Sequence, residues 1–222
     1  MTVLHHLDHN TLMRYASGDL DEAFSAIVAA HLAVCEDCRH DLRAAEEIGG
    51  HYLEHGETAD LAGDAFSRMM ARIDRGEAAP EPIRVERPSA QSGPQGVPFP
   101  LQRYIGPSLD EIRWKTVAPG IHRHKIALET PGRSSLYMLR IAPGKAMPEH
   151  GHGGAEITLI LAGAYRDAFG RFGPGDIADL DEHVEHQPVV EPGEPCICIV
   201  ATEAPTRFKG VISRFMQRFI GI

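Results

Sequence analysis

Cysteine is scarce in this sequence, long apolar runs are missing and basic residues are outnumbered, and each shortage removes a class of function. Four cysteines in 222 residues do not make the framework of a disulfide-stapled secreted scaffold. No run of about 18 consecutive apolar residues occurs, so no membrane-spanning helix is expected. The start, Met1-Thr2-Val3-Leu4-His5-His6, lacks the basic and apolar regions of a signal peptide, which leads us to expect a cytoplasmic protein. With 22 basic against 31 acidic residues the formal net charge is −9, which disfavours direct binding to nucleic acid or to an anionic membrane. The partner to look for is a protein or a small molecule. At this length the chain holds one large domain or two modest ones.

What is present is a run of potential metal ligands between Gly144 and Gly163. Successive strand side chains point to opposite faces, so His150 and His152 face the same way and can share one ion, with Glu156 joining from the next strand. The glycines bracket this hairpin at turns where a side chain at positive φ would be strained. A fourth ligand is expected after the turn Pro174-Gly175-Asp176. His186 is preferred to His183, because Gln187, Pro188, Val189 and Val190 continue it as a strand while His183 sits among Asp181, Glu182 and Glu185. Cys196 and Cys198 alternate in an apolar stretch and read as buried strand thiols, too splayed for an easy disulfide.

A second group lies in the helical part of the chain. Asp8 or Asn10 can cap a short helix ending at Gly18, and the segment from Glu22 to about Cys35 carries Phe24, Ile27, Val28, His31, Leu32 and Cys35 at three- and four-residue spacing. A third helical segment is expected from Arg39 to Ile48, stopping at Gly49-Gly50. His31 and Cys35 fall one turn apart on one face, and a break after Cys35 can swing Cys38 back to the same point. These three donors need a fourth to complete a tetrahedral Zn2+ site. His6 is the first choice and His5 the next. A redox role for the C-x-x-C pair would need a βαβ setting that the pattern lacks.

From Asp60 to Arg75 a further helix puts Leu61, Phe66, Met69, Met70 and Ile73 on one side. That stripe either packs on the other helices or serves as a mobile arm for a groove on a partner. Residues 77 to 100 are rich in proline and read as a linker. Alternating segments from Ile112 onward then lead into the ligand hairpin, and Ile212 to Ile220 has the pattern of a C-terminal helix.

Two resemblances follow. The run Gly144, His150, His152, Glu156, Gly163 resembles the first cupin motif, and Pro174, Gly175 and His186 resemble the second. This implies an antiparallel β-barrel or jelly roll over about residues 105 to 205, holding one divalent metal on three His and one Glu. His6 with His31, Cys35 and Cys38 is similar to the zinc-binding anti-sigma domain, and the pairing of the two resembles the ChrR family of anti-sigma factors along nearly the whole chain. The expected fold is α+β and multidomain: a small zinc-stapled helical bundle over residues 1–76, a linker at 77–100, and an all-β cupin domain with a C-terminal helix at 101–222. The resemblance implies that the partner is an extracytoplasmic-function sigma factor of RNA polymerase, released under photo-oxidative stress, chiefly singlet oxygen, with the cupin receiving the signal. For the cupin metal Zn2+ leads, with Mn2+, Fe2+ or Ni2+ as alternatives, and a small ligand in the barrel stays open. The competing class is a metal-dependent cupin enzyme such as a dioxygenase. The His-Cys-Cys triplet and the helical arm discriminate between them, since an independent cupin enzyme has no need of either.

Overall fold

Capping side chains start the first two helices. Asp8 accepts the N–H of Asn10 and opens α1 (His9–Ala16); Asp21 accepts that of Phe24 and opens α2 (Glu22–Leu32). Cys35 holds the same position before α3 (Glu36–His55), its sulfur facing the Cys38 N–H. α3 corrects the expected stop at Gly49-Gly50 and runs through both glycines to His55. Each glycine costs roughly 1 kcal/mol in a helix, which the helix formers on either side outweigh, and the chain turns extended only at Gly56 (φ −69, ψ 160). α4 (Ala65–Asp74) starts later than expected, after Gly63 and an Asp64 that makes no side-chain cap. α5 (Phe99–Ile105) begins inside the segment read as linker. Its Pro100 lies in the first turn, where a missing N–H removes no helix bond.

This computed structural model describes residues 2–76, 96–130, 132–205 and the backbone of 207–208. Most of the linker and the expected C-terminal helix at 212–220 lie outside the described residues. After the single 3-10 turn Leu109–Glu111 come the strands: β1 (Lys115–Ala118), β2 (Ile121–Ile126), β3 (Ser135–Ile141), β4 (His150–Gly151), β5 (Glu156–Ala162), β6 (Tyr165–Asp167), β7 (Gly170–Phe172), β8 (Ile177–Leu180), β9 (Glu185–His186), β10 (Val189–Val190), β11 (Cys196–Thr202) and β12 (Arg207–Phe208). They form a six-stranded sheet in the order β1-β2-β3-β11-β5-β8 and two three-stranded sheets, β10-β6-β7 and β12-β4-β9, with antiparallel pairing throughout. Helices first and an antiparallel barrel second is the expected fold class.

The middle strands of the large sheet are buried on both faces. Tyr137, Leu139 and Ile141 of β3 with Cys196, Cys198 and Val200 of β11 point into the barrel. Leu136, Met138, Ile157, Leu159 and Ile199 point the other way, into a core shared with Phe24, Ile27 and Val28 of α2 and with Leu101 and Ile105 of α5. Apart from Ser25 and Ala29, α2 buries every position from Ala23 to Leu32, which suits a helix that lies against a sheet. Burying Phe24 and Ile27 there contributes about 2 kcal/mol each.

Polar contacts fix the docking. Glu22 accepts from the Thr130 and Glu129 N–H groups (2.6 and 3.2 Å) and from the Tyr104 hydroxyl (3.0 Å). Asp21 accepts from the Ser134 hydroxyl. The extended segment before α1 runs beside β8, the edge strand of the large sheet, with the Ile177 N–H donating to the His5 carbonyl (3.4 Å).

Candidate metal centres

Two clusters of donor atoms lie among the described residues, one beside the helices and one in the barrel. The first joins three pieces of chain: His6 from the extended segment, His31 from the last turn of α2, and Cys35 and Cys38 from the start of α3. His6 Nδ1 is 3.3 Å from Cys35 Sγ and 3.6 Å from Cys38 Sγ, and His31 Nε2 is 3.2 Å from Cys38 Sγ. All four ligand atoms fall within 4.8 Å of one another. A tetrahedral zinc with Zn–S of about 2.3 Å and Zn–N of about 2.0 Å separates its ligands by roughly 3.3–3.8 Å, so this donor set fits. Of the two histidines weighed for the fourth place, the structure brings His6 to the cluster and sends His5 elsewhere. His5 stacks on Phe172 at 3.9 Å and hydrogen-bonds the Arg171 carbonyl.

Each donor has a local reason to be there. Cys35 at the N-cap and Cys38 in the first turn are both placed by the start of α3, where the Cys38 N–H faces the Cys35 sulfur. His31 donates its Nδ1–H to the Gly175 carbonyl (3.0 Å), which leaves the Nε2 lone pair facing Cys38. Burial brings the His31 pKa down to about 4 and pushes the Cys38 thiol up to about 12. The imidazole therefore stands ready as a neutral ligand, while the thiol would release its proton to an ion.

The second cluster lies inside the barrel. β4 pairs with β9 so that His150 faces His186 directly, and Glu156 opens β5. His150 Nδ1 must donate to the Pro148 carbonyl (2.8 Å) and His186 Nδ1 to the Asp167 carboxylate (2.9 Å). Both Nε2 lone pairs are thereby turned on each other at 3.1 Å. Burial lowers both pKa values, that of His150 to about 4, so protonation does not relieve the conflict. A cation that took both nitrogens as ligands would relieve it. His152 is 1% exposed, and neither of its ring nitrogens makes a hydrogen bond among the described residues, although Nδ1 lies 3.3 Å from Glu156 Oε2. Leaving such atoms unsatisfied costs roughly 1–3 kcal/mol each. The three imidazoles offer ligand nitrogens within 4.8 Å of one another and fit a divalent cation, while the Glu156 carboxylate lies beside His152 but outside that mutual distance. His183 is exposed and outside the cluster.

The hairpin glycine Gly163 (φ +66) is required by close approach, because a Cβ there would sit 2.3 Å from the Pro195 carbonyl oxygen. Beside the cluster is a cavity of about 60 Å³, lined by His150, Glu156, His186, Tyr165, Cys196 and Cys198 among others. The Tyr165 hydroxyl is buried there without a hydrogen-bond partner among the described residues. Burial raises the pKa of Tyr165 and of both thiols, that of Cys196 to about 12, so all three are neutral. Sequence reasoning missed Pro148, Asp167, Gly175 and Asp176, the groups that orient the donors. Only Gly175 and Asp176 carried a signal, as a Pro-Gly-Asp turn.

Residues 104–205 match the family of ChrR cupin-like domains. The whole chain is 40% identical over 222 residues to the anti-sigma-E factor ChrR of Cereibacter sphaeroides, covering all of both proteins. It is also similar to a chain in the crystal structure of Rhodobacter sphaeroides SigE in complex with the anti-sigma ChrR, at 38% identity and a TM-score of 0.71, over 90% of this chain and 100% of that one.

Proposed function

The chain belongs to the ChrR family of anti-sigma factors, and on that premise we propose that it holds an extracytoplasmic-function sigma factor through α4 and releases it when the barrel receives a photo-oxidative signal, chiefly singlet oxygen. Its role is regulatory rather than catalytic, and its partner is a sigma factor. One observation carries the assignment to α4. Phe66, Met69, Met70 and Ile73 are 75, 62, 40 and 62% exposed, and no described residue of the helix is buried. An amphipathic helix with its apolar face in water is suited to a groove on another protein, and the methionines adapt to its contours. Ile48, Tyr52 and Leu53 of α3 are exposed as well.

The remaining parts of the reading belong to the same proposal. Residues 1–76 form the sigma-binding unit and the chain from α5 onward the receiving domain, with the proline-rich stretch before α5 as the linker. His6, His31, Cys35 and Cys38 hold Zn2+, for which two thiolates and two imidazoles are a fitting set. His150, His152, Glu156 and His186 hold a second divalent ion, Zn2+ first, which when bound supplies the positive charge that the facing lone pairs call for. A partner that is a sigma factor of RNA polymerase calls for a cytoplasmic protein, and among the described residues no helix is long and apolar enough to cross a membrane. A cavity of about 60 Å³ is far below the roughly 300–1,000 Å³ of ordinary small-molecule sites, which weighs against the dioxygenase alternative.

The test is a Phe66→Asp, Ile73→Asp double variant titrated against the cognate sigma factor. Two apolar anchors are worth roughly 1.5–3 kcal/mol each, so affinity should fall at least a hundredfold while metal content stays unchanged. Unaltered affinity would remove α4 from the interface.

A further inference from the structure

The Pro174–Asp176 turn of the barrel hydrogen-bonds His31 of the first metal cluster and the two residues that precede His6. We infer that this turn is a latch: it sets the grip of the His6–His31–Cys35–Cys38 site on its ion and makes that grip depend on the state of the barrel site. The inference rests on the metal reading above.

Two of the four donors owe their placement to the turn. The Gly175 carbonyl accepts the Nδ1–H of His31 and so fixes which nitrogen faces the ion. The Asp176 carboxylate, 3% exposed, accepts from the Leu4 N–H (2.6 Å) and the His5 N–H (3.1 Å) through Oδ1, and closes its own turn by accepting from Gly173 N–H (2.8 Å) through Oδ2. The segment that carries His6 is thus tied down at the two residues just before it. Its far side is held by Asp179, which accepts the Asp8 N–H (3.1 Å). Cys35 and Cys38 need none of this, because α3 places them.

The other end of the turn is bound to the strand that carries a barrel ligand. Gly175 N–H donates to the Ile160 carbonyl (2.9 Å), and Ile160 N–H donates to that of Asp176 (3.1 Å). Ile160 lies on β5, which begins with Glu156, and β8 pairs with β5 directly after the turn, Leu159 opposite Ile177 and Glu156 opposite Leu180. Only one strand and one turn separate Glu156 from the hydrogen bonds that orient His31 and His6. A shift of Glu156 on losing its ion moves β5 and, with it, the turn.

The experiment follows transfer of metal from the first site of the full-length protein to a colorimetric chelator, with metal content by mass beforehand. Leu4→Pro deletes the 2.6 Å donor without touching the barrel, and Leu4 is 64% exposed, so little packing is lost. Transfer should quicken by about ten- to a hundredfold, with the barrel still holding one ion. Asp176→Ala should do at least as much. His152→Ala, which empties the barrel site, should also quicken transfer, and the two effects should fail to multiply in the Leu4→Pro, His152→Ala double variant. Unchanged transfer in Leu4→Pro, or effects that multiply fully, overturns the latch. A wild-type protein with no metal on the cysteines overturns the metal reading itself and the latch with it.

Discussion

The two clusters use the same ligand logic on opposite foundations. The barrel site is built by one β-domain: His150 and His186 are neighbours in a strand pair, each oriented by a group of the same domain. The helical site is built by docking. Its cysteines come from one helix start, but His31 is oriented by a barrel carbonyl and His6 reaches in on an extended segment tied to barrel carboxylates. A site closed within one domain keeps its geometry when neighbouring elements move. One closed across a packing interface loses its geometry when that interface loosens, which is the property wanted in a protein that must let go of a partner.

The largest effect should come from removing a thiol. Cys38→Ala is expected to abolish the metal equivalent on the helices and to weaken sigma binding at least a hundredfold, because structural zinc contributes roughly 10–16 kcal/mol to small folds. His152→Ala should remove the other equivalent and leave sigma affinity within about twofold while the singlet-oxygen response is lost. Metal analysis with calorimetric titration separates the two. Equal loss of sigma binding in both variants would erase the distinction between the sites.

Much of the barrel site was legible because its ligands follow strand alternation and lie close in sequence. His6 required a choice against His5, and only the tertiary path of the first eight residues decides it: His5 stacks on Phe172 and His6 turns to the cysteines. The shared core was legible in principle. Cys196 to Ala201 is a near-continuous apolar run, and a strand of that kind has both faces covered. α2 is buried almost all round, which marks a helix packed in a core. Read together, the two segments predict each other as partners. The orienting carbonyls of Pro148 and Gly175 could not be found this way, since a backbone group carries no sequence signature.

An intermediate effect tests that shared core. Ile27 is fully buried where α2 meets the sheet, and Ile27→Ala should cost about 2–5 kcal/mol. Thermal unfolding would register the loss, and metal analysis after dialysis should show the helical site depleted while the barrel ion stays. Depletion of both ions together would mean that the barrel leans on the helices as much as they lean on it.

The smallest effect should be a pH dependence at Glu22, the hinge of the docking contacts. The Thr130 N–H bond holds its carboxyl below the usual range, with burial opposing and the Glu129 and Tyr104 bonds adding to the depression. A carboxylate whose folded pKa is depressed stabilises the fold above its unfolded pKa of about 4.3, and the contribution is lost as pH falls through the folded value. Glu22→Gln should therefore lower stability by about 1–2 kcal/mol at neutral pH through weaker hydrogen bonds, and the gap to the native protein should close below about pH 4. Asp179 works in the opposite sense, since burial raises its pKa and its charge costs stability until it is protonated. Taking the difference between Glu22→Gln and the native protein at each pH cancels that contribution and the titration of the metal ligands alike. A gap that stays constant from pH 7 to pH 3 would mean that the Glu22 charge plays no part in holding α2 to the barrel.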